Sequence, residues 1–462
     1  MNFDAGKYVI EKGSSIKSAL LKVEGNHCGM IFMQSDLGSI IGVATDGDIR
    51  RALLQGFSLA DDISNCVNYD FVWADTETPR EQLIKQLDSH INFIPILDEL
   101  GKLQSIISKD YLPLYDEKST YIRARAPVRV SFGGGGSDLT HFFENAVGAV
   151  INTAISIYSH ATMRVREDSK IIVNSLDLKA TFVANDLEDA LAQKGAFGLI
   201  QSLLHVVQPT YGFELYLNSD FPVGSGLGGS ATISAVVLGC FNMLRQDQWN
   251  QHELAEISFQ AERLHLGIAG GWQDQYAAVF GGFNFIEFHI NENVINPMRV
   301  HPNIILELEE SLVLCNTGID HHSGNIHENQ KETMVSKSVQ KMVKTNVDLS
   351  YAIRNHLLRG ELKKFGECLD KSWHLKRNFS SMISNDYIDS IYDGAIKNGA
   401  TGGKLLGAGG GGFFIFYVDP FEKHRLMNYL ESKNLTLQSF RFEPDGLKAW
   451  TSRDNTIHLT RK

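Results

Sequence analysis

A glycine-rich stretch near the middle of the chain has the composition of a phosphate-binding loop. It reads Pro222-Val-Gly-Ser-Gly-Leu-Gly-Gly-Ser-Ala231, and an almost wholly apolar run follows at residues 230–244. Glycine permits backbone angles closed to other residues, so the main-chain N–H groups of such a loop can converge on anionic oxygens. The apolar run predicts a buried helix whose N-terminus favours the same anions. The residues predicted to contact phosphate are Gly224, Ser225, Gly226, Leu227, Gly228, Gly229 and Ser230.

A strand is predicted to bring a basic residue towards a second glycine-rich turn. Apolar and polar side chains alternate over residues 122–130, which is the period of a half-buried strand. Pro127 predicts an edge or irregular position within it, because proline cannot donate to a sheet. The strand carries Arg129 and ends at the glycines of residues 133–136.

A helix is predicted to carry the acidic residue Glu262. The segment Asn250-Gln-His-Glu253 has the pattern of a capping box, and apolar residues then recur at helical spacing as far as Gly267. The Glu262 carboxylate is a hard oxygen donor, the type of ligand that Mg²⁺ prefers. Considered alone, a helical glutamate is more often a solvated surface acid.

Three glycine-rich segments, in this order along the chain, resemble the signatures of the GHMP kinase superfamily. The first is Ala126-Pro-Val-Arg-Val-Ser-Phe-Gly-Gly-Gly-Gly-Ser-Asp138, the loop at residues 222–231 is the second, and Gly402-Gly-Lys-Leu-Leu-Gly-Ala-Gly-Gly-Gly-Gly412 is the third. The loop is not a Walker A motif, because no Gly-Lys-Ser/Thr follows it. The resemblance implies a two-lobed α+β kinase fold and the use of ATP and Mg²⁺.

The resemblance also implies roles for individual residues. The segment Gly267-Ile-Ala-Gly-Gly-Trp-Gln-Asp-Gln-Tyr276 resembles the superfamily loop that carries the catalytic aspartate, here Asp274. Asp274 is expected to accept the proton of the attacking hydroxyl, with Arg129 as a fixed cation. Ser230 and Glu262 are expected to bind Mg²⁺. The residues expected to contact the substrate are Gly135, Gly136, Ser137, Asp138, Gly409 and Gly410.

The C-terminal half resembles a narrower group of kinases. Residues 369–380 and 389–407, together with 131–138, are similar to the corresponding regions of bacterial D-glycero-D-manno-heptose 7-phosphate kinases. This implies phosphorylation of the anomeric hydroxyl of the sugar phosphate to a 1,7-bisphosphate, an early step towards GDP-activated heptose for surface polysaccharide. Two alternatives stay open: a fucokinase-like hexose 1-kinase, and a nucleotide sensor without catalysis. A 7-phosphate requires a cationic clamp, for which Lys376-Arg377 and Lys404 are candidates.

The first part of the chain contains a weak internal duplication. The segments at residues 28–53 and 92–112 resemble a tandem pair of CBS motifs, which implies an α/β module ahead of the kinase. Thr45 and Asp48 match that family's Ser/Thr-x-x-Asp pattern and would contact a regulatory adenine nucleotide, whereas Tyr111 stands where the second copy would carry its carboxylate. Thr-Asp-Gly-Asp also makes a sound helix cap, so a packing or homodimerisation platform without a ligand is an equal alternative.

Length and composition limit the remaining possibilities. The 462 residues include 54 acidic and 43 basic ones, and the net charge of −11 argues against nonspecific binding to nucleic acid. No apolar run reaches the roughly 18 residues of a membrane helix, and the first residues lack the pattern of a secretory signal, so a cytoplasmic protein is expected. The predicted domains are a CBS-like pair at 1–115, a linker at 116–120, and N-terminal and C-terminal kinase lobes at 121–320 and 321–462.

Overall fold

The computed structural model describes most of the chain, which forms two compact units. The described residues are 4–87, 91–109, 119–319, 323–333 and 336–453. The first unit includes the residues up to Ser119, and the second comprises Thr120–Ser452. Most of the predicted linker at residues 116–120 lies outside the described residues, as does Tyr111. None of the helices within the described ranges has the length and apolar character needed to cross a bilayer.

The first unit repeats one arrangement of strands. Its elements are β1 (Val9–Glu11), α1 (Ile16–Asn26), β2 (Met30–Gln34), β3 (Ile40–Thr45), α2 (Asp46–Leu54), β4 (Ala74–Asp75), α3 (Arg80–Gln86), β5 (Phe93–Leu97) and β6 (Leu103–Ser108), with 3₁₀ turns at Ala5–Lys7 and Ile63–Cys66. β1 is parallel to β2, which is antiparallel to β3; β4, β5 and β6 repeat these orientations. A helix connects each parallel pair, as such pairing requires. This confirms the predicted duplication, whereas the likeness to CBS motifs stays a prediction.

Thr45 and Asp48 bond to each other at the start of α2. Thr45 Oγ1 donates to Asp48 Oδ2 (2.6 Å) and accepts from the Asp48 N–H (3.2 Å), and the Thr45 N–H donates to the same carboxylate (2.9 Å). Arg51 also pairs with Asp48. These contacts form the helix cap that the sequence allowed as an alternative. The nucleotide-binding role of the two residues stays a prediction.

The second unit is built on two sheets with helices packed against them. Its strands among the described residues are β7 (Ser119–Gly133), β8 (Gly148–Val165), β9 (Ile171–Ser175), β10 (Ala180–Ala184), β11 (Phe213–Ser219), β12 (Phe283–Phe288), β13 (Asn293–Pro297), β14 (Leu312–Asn316), β15 (Ala400–Leu405), β16 (Phe413–Val418), β17 (Thr436–Gln438) and β18 (Lys448–Arg453). Its helices there are α4 (Thr140–Phe143), α5 (Leu187–Ala192), α6 (Gly198–Val207), α7 (Gly229–Asn242), α8 (Gln251–Phe259), α9 (Gln273–Phe280), α10 (Pro302–Ser311), α11 (Ser323–Thr333), α12 (Lys337–Arg359), α13 (Leu362–Lys376), α14 (Asp386–Lys397) and α15 (Lys423–Ser432). A π-helical turn, Gln260–His265, continues α8.

Strand β8 lies at the centre of an eight-stranded sheet. The order is β10-β9-β11-β8-β12-β13, and β7 pairs with both β8 and β18. The register of β7 on β8 shifts between Pro127 and Val128. This confirms the irregularity predicted at Pro127, since proline has no N–H for the ladder. β7 as a whole is not an edge strand, however, because it also pairs with β18.

The second sheet has the order β15-β16-β14-β17. It combines β14, which precedes residue 320, with strands from near the C-terminus, whereas β18 returns to the first sheet. The predicted boundary at residue 320 therefore does not separate the two sheets. Ile353 of α12 and Phe365 of α13 are fully buried in a core shared with the strands, and each such side chain contributes about 1.5–3 kcal/mol. Leu406 and Ala408, in the glycine-rich loop between β15 and β16, belong to the same core and hold that loop in place.

Candidate active site

The loop between β11 and α7 has the backbone conformation of an anion-binding turn. Gly224, Gly226 and Gly228 have φ angles of 77°, 74° and 84°, in the left-handed region that favours glycine. α7 begins directly afterwards at Gly229, and its side chains are largely buried, so its N-terminus is fixed against the loop. Leu227 is fully buried in the core. Its side chain therefore anchors the loop instead of facing the cleft.

A bidentate ion pair joins Arg129 of β7 to Asp274 of α9. Arg129 Nε and Nη2 donate to the two carboxylate oxygens of Asp274, each at a distance of 2.7 Å. Arg129 Nη1 also donates to the carbonyl oxygen of Gly226 in the phosphate loop (2.8 Å). Paired donors in this geometry fix the orientation of a carboxylate as well as its charge. The structure thus brings three distant segments of the chain together at one point.

Glu262 lies on the π-helical turn and is fully buried. Its carboxylate accepts hydrogen bonds from Ser230 Oγ and Gln275 Nε2, and an Arg263 guanidinium nitrogen lies 3.5 Å away. Burial raises the pKa of Glu262, an effect that the positive charge of Arg263 opposes. The sequence predicted an unbroken α-helix here, and the wider π-helical turn is a difference that the apolar spacing did not reveal.

The Ser230 and Glu262 side chains fit a Mg²⁺ ion that is shared with a nucleotide. Both are hard oxygen donors, and they are in direct contact at the start of α7. Within the described ranges, no group of three or more His, Cys, Asp or Glu side chains could hold a metal by itself. Phosphate oxygens and water would therefore complete the coordination, as is usual for Mg²⁺ in kinases.

Asp138 is buried in the same site. Its carboxylate accepts hydrogen bonds from Gln273 Nε2 (3.0 Å) and from the Gly136 N–H (3.1 Å). Burial raises the pKa of Asp138, and the negative charge of Asp274 raises it further. Gly271 lies against the Asp138 carboxylate. A Cβ added to Gly271 would overlap with that carboxylate, so a larger residue would not fit there. Sequence reasoning missed Gln273 and Gly271, and no spacing or composition marks them.

Two cavities adjoin at the Arg129–Asp274 pair. The larger cleft, of about 710 Å³, contains the phosphate loop. Its apolar wall, which sequence reasoning also missed, includes Leu178, Phe197, Ile200, Leu217 and Ile233. The smaller polar cavity, of about 30 Å³, is lined by residues that include Ser131, Gly135, Gly136, Asp138, Gln273 and Lys404. The cleft suits a nucleotide base, whereas a polyol matches the polar cavity but must displace lining side chains to enter.

Three of the residues predicted to contact substrate have other partners. Ser137 is fully buried and bonds to carbonyl oxygens of its own loop and of β8. The Gly410 N–H donates to the Ile383 carbonyl (2.8 Å), and Gly409 packs against the same residue. Gly407 lines both cavities instead. A Cβ there would press on the phosphate-loop backbone, so this glycine lets the two loops approach each other.

Two family models match the second unit. The model described as GHMP kinases N terminal domain matches residues 193–282, and GHMP kinases C terminal matches residues 353–435. A D-glycero-alpha-D-manno-heptose 7-phosphate kinase from Campylobacter jejuni is 37% identical over 336 residues, which is 71% of this chain and 98% of that protein.

Two solved structures are also similar to this chain. A crystal structure of a protein from Campylobacter jejuni has 33% identity and a TM-score of 0.59, and the match covers 73% of this chain and 100% of that one. A D-glycero-D-manno-heptose 1-phosphate kinase from Bacteroides thetaiotaomicron has 26% identity and a TM-score of 0.59, with 72% and 100% covered. The phosphate loop and Asp274 both lie within the first matched family region. The chain therefore belongs to the GHMP kinase family.

Proposed function

We propose that this protein is an ATP-dependent kinase that phosphorylates the anomeric hydroxyl of D-glycero-D-manno-heptose 7-phosphate. The product would be the 1,7-bisphosphate, a precursor of GDP-activated heptose for surface polysaccharide. The observation that carries the proposal is the Arg129–Asp274 pair at the point where the apolar cleft and the polar cavity adjoin. The likeness to the Campylobacter jejuni heptose 7-phosphate kinase supports the choice of sugar.

In this proposal Asp274 is the general base. The sugar hydroxyl oxygen forms a bond to the γ-phosphorus of ATP, the bond from that phosphorus to the bridging oxygen of ADP breaks, and the hydroxyl proton moves to the Asp274 carboxylate. Arg129 orients that carboxylate and can stabilise charge on the phosphoryl group. Backbone N–H groups of the phosphate loop bind the β- and γ-phosphates. Mg²⁺ held by Ser230 and Glu262 would neutralise charge on those phosphates.

A panel of sugars tests the proposal. ADP release by the full-length chain is measured with ATP and Mg²⁺ in the presence of D-glycero-D-manno-heptose 7-phosphate, the unphosphorylated heptose, D-mannose or L-fucose. We expect a kcat/KM for the heptose 7-phosphate at least about tenfold above that for any free sugar. A preference for L-fucose would favour the fucokinase-like alternative, and no ADP release with any sugar would favour the nucleotide sensor.

We further propose that the first unit is a tandem CBS module that binds a regulatory adenine nucleotide. The repeated strand arrangement and the position of Thr45 and Asp48 at the start of α2 support this. In calorimetry with AMP, we expect the full-length chain to give a binding heat that Asp48→Asn removes. Asp46→Asn, a change to a half-exposed acid in the same helical turn, should retain the heat. The absence of heat from the unmodified chain would leave a packing or dimerisation role.

A further inference from the structure

Two lysines with almost no solvent exposure face the polar cavity. Lys376 ends α13 and Lys404 lies on β15, and they are 4% and 1% exposed. Both line the cavity. Arg377 was an equal candidate for a phosphate clamp from the sequence. Its Nη1 atom instead lies 3.5 Å from Asp389 Oδ1. The phosphoryl transfer described above uses neither lysine.

The charges around this cavity do not balance. Among the described residues that line it, four are cationic and two carry carboxylates: Arg129, Arg263, Lys376, Lys404, Asp138 and Asp274. Arg129 pairs with Asp274. Arg263 pairs with Glu262, which does not line the cavity. Asp138 is the one lining carboxylate left to face the two lysines. The cavity therefore favours a ligand that brings negative charge with it.

Lys404 has the less compensated ammonium group of the two. Lys376 Nζ donates to the carbonyl oxygens of Leu405 (3.4 Å) and Gly407. For Lys404 Nζ, the described part of the chain provides neither a hydrogen bond nor an ion pair. Burial lowers the pKa of both lysines, that of Lys376 to about 8, and nearby cations lower it further. Burial without a partner thus favours the neutral amine of Lys404, and an anionic ligand in the cavity would favour its charged form.

Uncharged polar atoms in the same cavity are also unpaired. Ser131 Oγ and Gln273 Oε1 are buried and have no hydrogen-bond partner within the described residues. Both side chains line the cavity. Buried polar atoms are normally hydrogen-bonded, so these two mark positions for the hydroxyl groups of a ligand. Unpaired polar atoms together with two ammonium groups match a sugar that carries an anionic group.

We propose that Lys404 binds the phosphate group that the sugar already carries before the reaction, with Lys376 as a second cation. Lys404 would then determine the preference for a sugar phosphate over a free sugar. The inference rests on the proposed kinase function and names the substrate class of its site. A phosphate dianion would supply the hydrogen bonds that Lys404 lacks and would offset the repulsion between the two ammonium groups.

The variant Lys404→Met tests this in the full-length chain, because methionine keeps the length of the side chain but removes its charge. We expect kcat/KM for the heptose 7-phosphate to fall about 10- to 100-fold, as for lost hydrogen bonds to a charged group. For the unphosphorylated heptose, kcat/KM or the inhibition constant should change less than about threefold. The Tm should not fall, since the substitution removes no hydrogen bond or ion pair of the described residues. Lys371→Met, a change to an exposed lysine on α13, is the control and should alter none of these values.

The other possible outcomes distinguish an error in the role of Lys404 from an error in the proposed kinase function. The role of Lys404 would be overturned if Lys404→Met lowered kcat/KM equally for both sugars, or left kcat/KM for the sugar phosphate unchanged. A lower Tm together with a lower kcat/KM for both sugars would overturn it as well. If the unmodified chain preferred free sugars, the inference would fail while a kinase function remained. If no sugar supported ADP release, calorimetry with heptose 7-phosphate in the absence of ATP would decide. Binding that Lys404→Met removes would support the inference, and absent or unaltered binding would overturn it.

Discussion

The variant Asp274→Asn is expected to bind ATP normally but to turn over about 10²- to 10⁴-fold more slowly. Asparagine has nearly the shape of aspartate, but its amide cannot accept the proton of the sugar hydroxyl. The backbone N–H groups of the phosphate loop and the apolar side chains of the cleft are unchanged by this substitution, so nucleotide affinity should be retained. The measurements are kcat from ADP release and the ATP dissociation constant from calorimetry.

A matched control separates this effect from a general loss of a surface charge. Asp247 is 81% exposed and pairs with Arg245, so Asp247→Asn is expected to retain turnover. Arg129 also donates to the Gly226 carbonyl, a contact that Asp274→Asn does not remove, so the loop should stay intact. Turnover close to that of the unmodified chain would show that Asp274 is not the base. Loss of ATP binding would show instead that the pair mainly supports the loop.

The variant Glu262→Gln is expected to lower kcat by about 100-fold and to raise the Mg²⁺ concentration needed for half-maximal rate. Glutamine is similar in shape and can still bond to Ser230 and Gln275, so the π-helical turn should stay folded. Its amide oxygen, however, lacks the negative charge that favours a divalent cation. ADP release measured over a range of Mg²⁺ concentrations at saturating ATP checks both expectations.

The control for this variant lies on the preceding helix. Glu256 is an exposed residue of α8, and Glu256→Gln should leave both kcat and the Mg²⁺ requirement unchanged. An unaltered Mg²⁺ requirement in Glu262→Gln would contradict the assignment of this residue as a metal ligand. A large drop in its Tm would instead indicate that Glu262 mainly stabilises the fold.

The residues of the candidate site could be named from the sequence, but their contacts could not. Arg129 and Asp274 each lie in a short segment with a recognisable pattern, whereas the bidentate pair joins residues 145 positions apart and depends on how β7 and α9 pack. Leu227 belongs to the loop by its position, yet its side chain enters the core. Gly409 belongs to the third glycine segment, yet packs against Ile383. Local patterns indicate which backbone can turn, not which side of the turn faces a cavity.

Burial distinguished the candidate cations. In the sequence, Lys376, Arg377 and Lys404 had equal standing as a phosphate clamp. The structure buries both lysines at the polar cavity and places Arg377 beside Asp389. The difference arises because the cost of burying a charge depends on every group around it, and those groups come from several strands and helices.

By itself, the sequence determined the glycine turns, the caps that start α2 and α8, and the duplication of the first unit. These features depend on backbone preferences and hydrogen bonds within a few residues, which composition and spacing express directly. Only the tertiary structure decided the pairing of β18 with β7, the π-helical turn that carries Glu262 and the lack of a partner for the Lys404 side chain. Each of these features depends on the free energy of burying and pairing groups that are far apart along the chain, and a local sequence pattern does not contain that information.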